Sequence, residues 1–286
     1  MKIVGAIILL GAAASVARGQ GTCRPDSDSN EAKMLAFFAA PIAFSPAGTI
    51  TPMRQGEVRL SFDATYVPSP SDDITSPDLC YRNDKTENTE LSPVFPRPRI
   101  AIGLARGLAL EATYLPPLTV MDATPNLFAL ALAYARPFGT TGVSWALRTH
   151  VTVGSVKGPI TCSPDVIQTS NPAGACYATQ PSEDTYKPNM VGFEGVLGFG
   201  GQTRFASYIG AGYTLLRPRF QVGYLDAAGN LDDTEIIVDL NRFAAFAGGM
   251  WKLTDLIGLT AELYSVPQDV TTFRLGGAYI LRAGRR

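Results

Sequence analysis

The chain has 286 residues, a formal net charge of −1 at pH 7 and 46% hydrophobic residues. A balance so near neutral offers no basic surface for nucleic acid. One histidine and four cysteines with no Cys-x-x-Cys pair leave no zinc-like ligand spacing, so neither metal nor cofactor is expected.

Residues 1–19 read as a secretory signal: Lys2, an apolar run from Ile3 to Val16, then small residues suited to cleavage. The run is shorter than the roughly 20 apolar residues of a membrane-spanning helix. Export makes disulfides the expected state of Cys23, Cys80, Cys162 and Cys176. Residues 20–55 form an N-terminal segment with one short helix, expected to be capped by Asn30 and stopped by Pro41. Met34, Leu35, Phe37 and Phe38 make its second half apolar almost all round, and Phe44 follows in a turn, so the segment should be buried.

From Gly56 the period changes to two. Strands are predicted over 56–67, 99–105, 108–115, 127–136, 143–154, 190–199, 204–224, 236–253, 257–266 and 272–281. In the first, Val58, Leu60, Phe62, Ala64 and Tyr66 face one way and Arg59, Ser61, Asp63 and Thr65 the other. In the fourth, Phe128, Leu130, Leu132 and Tyr134 oppose Ala129, Ala131, Ala133 and Ala135. Short links alternate with long ones, and a further strand pair could lie within 155–189. That pattern, with Tyr66, Tyr114, Tyr224 and Trp251 near strand ends, fits an all-β fold: a transmembrane up-and-down antiparallel barrel over 56–281, of about 10 strands (8–12 possible). A soluble β-sandwich is the alternative, but it has no reason to segregate loop lengths.

In the last strand Phe273, Leu275, Gly277, Tyr279 and Leu281 share one face, and Arg274, Gly276, Ala278 and Ile280 the other. The run Arg274-x-Gly276-x-x-Tyr279-x-Leu281 resembles the C-terminal signal by which bacterial outer-membrane β-barrels are recognised for assembly. The resemblance implies the outer membrane of a diderm bacterium, with its lipid and its barrel-assembly machinery as partners. Residues 282–286 then read as a basic periplasmic tail. Residues 31–48 resemble the N-terminal hatch of the long-chain fatty acid transporter family, in which an apolar segment sits in the lumen ahead of the first strand. That resemblance implies a lumen plug.

If the bulky faces meet lipid, the opposite faces carry Arg59, Asp63, Arg99, Glu111, Arg148, His150, Glu194, Glu262 and Arg274 inward. Matched signs should pair, because an unpaired buried charge is costly. Arg274 is expected near Asp63, and His150 beside Glu111 or Glu194. Thr152 stands where the His-x-Ser of outer-membrane phospholipases places its serine, but one such pair does not build a hydrolase, and no enzymatic activity is expected. Cys162 and Cys176 share a loop and should pair, which leaves Cys23 for Cys80. Because Cys80 lies in an outer loop and the first strand starts at the periplasmic side, that bond would draw residues 24–55 through the lumen. Two functions stay open. One is a structural or surface-interaction barrel acting through loops 68–96 and 155–189 on a partner the sequence does not identify. The other is a narrow pore or transporter for small or hydrophobic substrates, gated by the N-terminal segment.

Overall fold

A computed structural model describes residues 21–48, 51–71, 74, 80, 94–120, 122–200 and 203–282. The signal segment, the last four residues and much of the 68–96 loop lie outside them. Among the described residues ten long antiparallel strands form the wall. They are β1 (Val58–Tyr66), β2 (Val94–Gly103), β3 (Leu108–Leu115), β4 (Thr124–Pro137), β5 (Val143–Gly158), β6 (Met190–Phe199), β7 (Phe205–Leu216), β8 (Leu240–Lys252), β9 (Ile257–Val266) and β10 (Val270–Arg282). Each pairs with its chain neighbour, and β10 pairs with β1 from Phe273↔Tyr66 to Ile280↔Arg59, so the sheet closes on itself. Closure leaves no strand edge in the wall, as lipid requires. Among the described residues no helix is long and apolar enough to cross a membrane; the strands do so.

Alternation gives the wall two faces. Leu60, Phe62, Leu132, Leu147, Phe193, Ile209, Leu263 and Leu275 are exposed outward, while Asp63, Arg99, Arg148, Glu194, Glu262 and Arg274 are buried inward. Tyr66, Tyr114 and Trp251 are exposed near strand ends, where amphipathic rings suit the membrane interface. Tyr224 does not join them. It is buried, in the short strand Tyr224–Leu225 outside the wall, with its hydroxyl donating to the Tyr177 carbonyl at 3.0 Å.

Several boundaries differ from the sequence reading. β2 starts at Val94, five residues early, and runs through Pro96 and Pro98. β7 ends at Leu216, ahead of Pro218, and β8 starts only at Leu240. The residues between fold back as Arg219–Gln221, Tyr224–Leu225, Leu231–Asp232 and Glu235–Ile237. Asp184–Lys187 pairs with the end of β5 and carries a ledge in which Arg219–Gln221, Glu235–Ile237 and Thr22–Cys23 follow side by side. Arg282 still pairs with Val58, so it belongs to the wall and not to a tail.

The helix α1 spans Asn30–Ile42. Its cap is Ser29, whose Oγ accepts from the Ala32 N–H at 3.1 Å; Asn30 is already helical. Pro41 sits inside the last turn, where its missing N–H costs one bond only, and the Ala43 N–H still reaches the Ala39 carbonyl at 3.0 Å. About 20 Å long, α1 lies within the barrel, with Ala32, Leu35, Ala36 and Phe37 buried. Its start is held at the long-link end, where Glu31 Oε1 accepts from the Cys80 N–H at 2.7 Å. The chain reaches the wall at the opposite, short-link end, where the Gly56 N–H donates to the Gly103 carbonyl at 2.8 Å. The segment therefore runs the length of the lumen. The disulfides are Cys23–Cys80 and Cys162–Cys176, the two pairings the sequence predicts.

Leu132 is at mid-height on the outer face. Its change to Arg should cost about 2–4 kcal/mol in urea unfolding from lipid vesicles; a near-neutral result would mean that this face does not meet lipid.

Candidate functional site: the occluded lumen

A helix leaves its last four carbonyls without intrahelical partners, and they carry the negative end of its dipole. For α1 this end lies in mid-barrel, where four arginines of the wall meet carbonyls of residues 40–46: Arg97 and Arg274 reach two of the helix's own last four, and Arg99 and Arg148 reach those that follow. Arg97 of β2 donates to the carbonyls of Ala43 at 2.8 Å and Pro41 at 2.6 Å. Arg274 of β10 donates to the Ala40 carbonyl at 3.2 Å and to the Ser45 hydroxyl. Arg99 of β2 reaches the carbonyls of Ser45 and Pro46, both at 2.8 Å. Arg148 of β5 donates to the Phe44 carbonyl. The Phe44 ring takes the guanidiniums of Arg99 at 4.4 Å, Arg148 at 4.9 Å and Arg97 at 5.9 Å around its centroid. The ring clusters with Ala129 and Ala131, so the alanine face of β4 makes room for it.

Carboxylates hold the arginines in turn. Glu262 of β9 lies opposite Arg274 in register, 3.1 Å from its Nη1. Glu262 also accepts from the Ser45 hydroxyl, from the Ala47 N–H at 3.0 Å and from the Tyr208 hydroxyl at 2.7 Å. Glu111 of β3 bridges Arg99 and Arg148, each at 3.1 Å, and Glu194 of β6 takes Arg148 at 2.7 Å. Asp63 of β1 is 3.5 Å from Arg99. Arg59 pairs with Glu57 at 2.8 Å near the short-link end. Buried charges paired and hydrogen-bonded in this way make the segment and the wall one network.

The nine expected lumen charges all face inward, but they meet by register and not by proximity in sequence. Arg274 takes Glu262 and not Asp63, because Thr65 stands opposite it on β1 and Asp63 is one step further along the same face. His150 Nε2 is 3.5 Å from Glu194 Oε1. Gly192 across the β5–β6 ladder makes its room, since a Cβ there would sit 2.2 Å from Nε2. His150 and Thr152 are both buried. Of the expected plug residues, Met34, Leu35, Phe37 and Phe44 are buried and Phe38 is partly exposed beside a cavity. Among the described residues no group of three His, Cys, Asp or Glu could hold a metal ion.

Sequence reading missed Arg97, Ser45 and Tyr208. Arg97 had a signal, the alternation Phe95-x-Arg97-x-Arg99, which the prolines between them masked. Ser45 and Tyr208 had none, because their partners are more than 50 residues away.

No protein-family model matches the chain, and no curated protein matches it. Among solved structures it is similar to the attachment invasion locus protein Ail of Yersinia pestis, at 10% identity and TM-score 0.32, covering 79% of this chain and 98% of that one. The N-terminal barrel domain of Pseudomonas aeruginosa OprF matches at 12% identity and TM-score 0.28 over 79% and 98%. The KdgM porin in complex with disordered oligogalacturonate matches at 11% identity and TM-score 0.30 over 78% and 99%. These structural neighbours are outer-membrane β-barrel proteins. The comparisons do not confirm the resemblance of residues 31–48 to the fatty acid transporter hatch, and at these scores they carry no function across.

Arg274→Met leaves Glu262 buried without its cation and should cost about 3–5 kcal/mol in guanidinium unfolding. Asp239→Asn, which removes the exposed partner of Arg219 in the long link between β7 and β8, should cost less than about 1 kcal/mol. Equal costs would deny the network its special weight.

Proposed function

We propose that this protein is an outer-membrane barrel of a diderm bacterium, closed to free diffusion by its own N-terminal segment, that acts through the ordered surface at its long-link end. The clasp on residues 40–47 carries the reading: four arginines hold six consecutive or near-consecutive polar groups of a segment that fills the lumen. Ten strands leave little width once side chains are placed, and a helix with its aromatic rings takes what remains. Cys23 is bonded to Cys80 at one end and the segment is continuous with β1 at the other. A segment without a free end has nothing to swing aside, which weighs against a gate.

The long links are assigned to the cell exterior and the short ones to the periplasm, as in up-and-down barrels generally. The exterior then carries a built ledge: two disulfides, four short paired strands, and the Asp226–Asn230 turn in which the Asp226 carboxylate accepts from the Asn230 N–H at 2.8 Å. An ordered, cross-linked surface suits recognition of an extracellular partner. Tyr279 and Leu281 project outward from the closing strand, where the assembly machinery would meet the signal-like run.

In planar bilayers the full-length protein should show no steady current, and deletion of residues 24–48 should give conductance steps; steady current through the intact protein would end the occluded reading. An epitope placed in the 226–230 turn should bind antibody on intact cells, and one in the 138–142 turn only after permeabilisation; the reverse pattern would invert the assigned topology.

A further inference from the structure

We propose that the seam between β2 and β3 holds a binding site for a single hydrocarbon chain. This goes beyond the occluded, surface-presenting barrel, which needs no ligand. The seam begins in backbone chemistry. Gly103 bonds towards the β1 side, donating to the Glu57 carbonyl at 2.8 Å and accepting from Gly56. Backbone groups alternate direction along a strand, so the odd residues of β2 serve β1 and the even ones serve β3. Pro96 and Pro98 are even. Neither has an N–H to give β3. The β2–β3 ladder accordingly stops at Ile100↔Ala112, although β2 continues to Val94 and β3 to Leu115. The Thr113 hydroxyl crosses the gap, donating to the Pro98 carbonyl.

Behind this seam lies a cavity of about 290 Å³. Its wall side is Val94, Phe95, Pro96 and Leu115, and its inner side is Phe37 and Phe38 of α1. None of the described lining residues carries a charge. Tyr186 at its back donates its hydroxyl to the Leu35 carbonyl at 2.8 Å, and burial pushes its phenol up, so it stays a protonated donor with its polar group engaged. Val94 belongs to the exposed outer face, while Tyr186 and Ile160 are buried, so the cavity runs from the outside of the wall to the helix. Its mouth stands at the height of the aromatic belt, since Val94 is opposite Tyr66 and Leu115 follows Tyr114. A ligand there can leave a polar end at the interface and lay its tail inside. The volume is at the small end of ligand pockets, which run to roughly 1,000 Å³, so it suits one chain and not a whole two-tailed lipid. That chain can belong to a free fatty acid or be one tail of a membrane lipid.

The test uses the full-length protein in lipid nanodiscs with two photoprobes, a free fatty acid and a phosphatidylethanolamine, each carrying a diazirine on its acyl chain. Adducts are mapped by peptide mass spectrometry. The expected result is labelling at residues 37–42 or 186, on the inner side of the cavity. Labelling by the free acid alone marks a water-borne ligand, and labelling by the phospholipid marks a bilayer tail. Ala123→Trp and Val156→Trp, which fill the cavity, should each reduce it at least about tenfold, equivalent to roughly 1.4 kcal/mol of binding. Both variants are first checked for heat-modifiable migration, and if neither folds, competition by excess unlabelled fatty acid decides instead. Adducts confined to lipid-facing residues such as Phe128 and Leu132, or internal adducts that neither filling nor competition lowers, would overturn the proposal.

Discussion

The structure depends on one requirement: the carbonyls that trail α1 must find donors inside a membrane-spanning barrel. Water satisfies such groups at a protein surface, but here the helix ends at mid-height between ten strands. Guanidinium groups fit the task, because each presents several N–H donors in a fixed fork. Four of them converge on residues 40–46 from β2, β5 and β10. Their charge then requires carboxylates, which β1, β3, β6 and β9 supply. Seven strands are thereby tied to a segment that is not itself part of the wall.

This arrangement makes the plug and the wall mutually dependent. The alanine face of β4 would leave a void without Phe44, and Gly192 would leave one without His150. A void in a packed interior forfeits contacts. The disulfide at Cys23 fixes one end of the segment and the wall fixes the other, so the arginine clasp works on a segment of restricted freedom. The ordering cost is reduced before the hydrogen bonds form.

Proline acts in three places by the same means, the absence of one N–H. In α1 it falls in the final turn, where the helix still closes around it. In β2 the two prolines fall on the side that faces β3, where they end a ladder and leave an apolar seam at the membrane interface. The wall stays closed below them because Ile100 and Ile102 restore the ladder.

The sequence by itself determined the barrel, the inward set of charges and both disulfides. Each of these is written in local alternation, or in cysteine placement that leaves one sensible pairing. The expected long link ahead of the last strand is instead the tight turn 267–269, because the ladder runs on to Val266↔Val270. Only the tertiary structure decided that Arg274 meets Glu262, that Arg97 joins the clasp, that Ser29 and not Asn30 caps the helix, and that residues after Pro218 leave the wall for a ledge at the long-link end. Alternation names the face on which a side chain stands, because each face meets a single medium. It does not name the partner, because Ser45 and Glu262 are 217 residues apart and are brought together by strand register around a closed sheet.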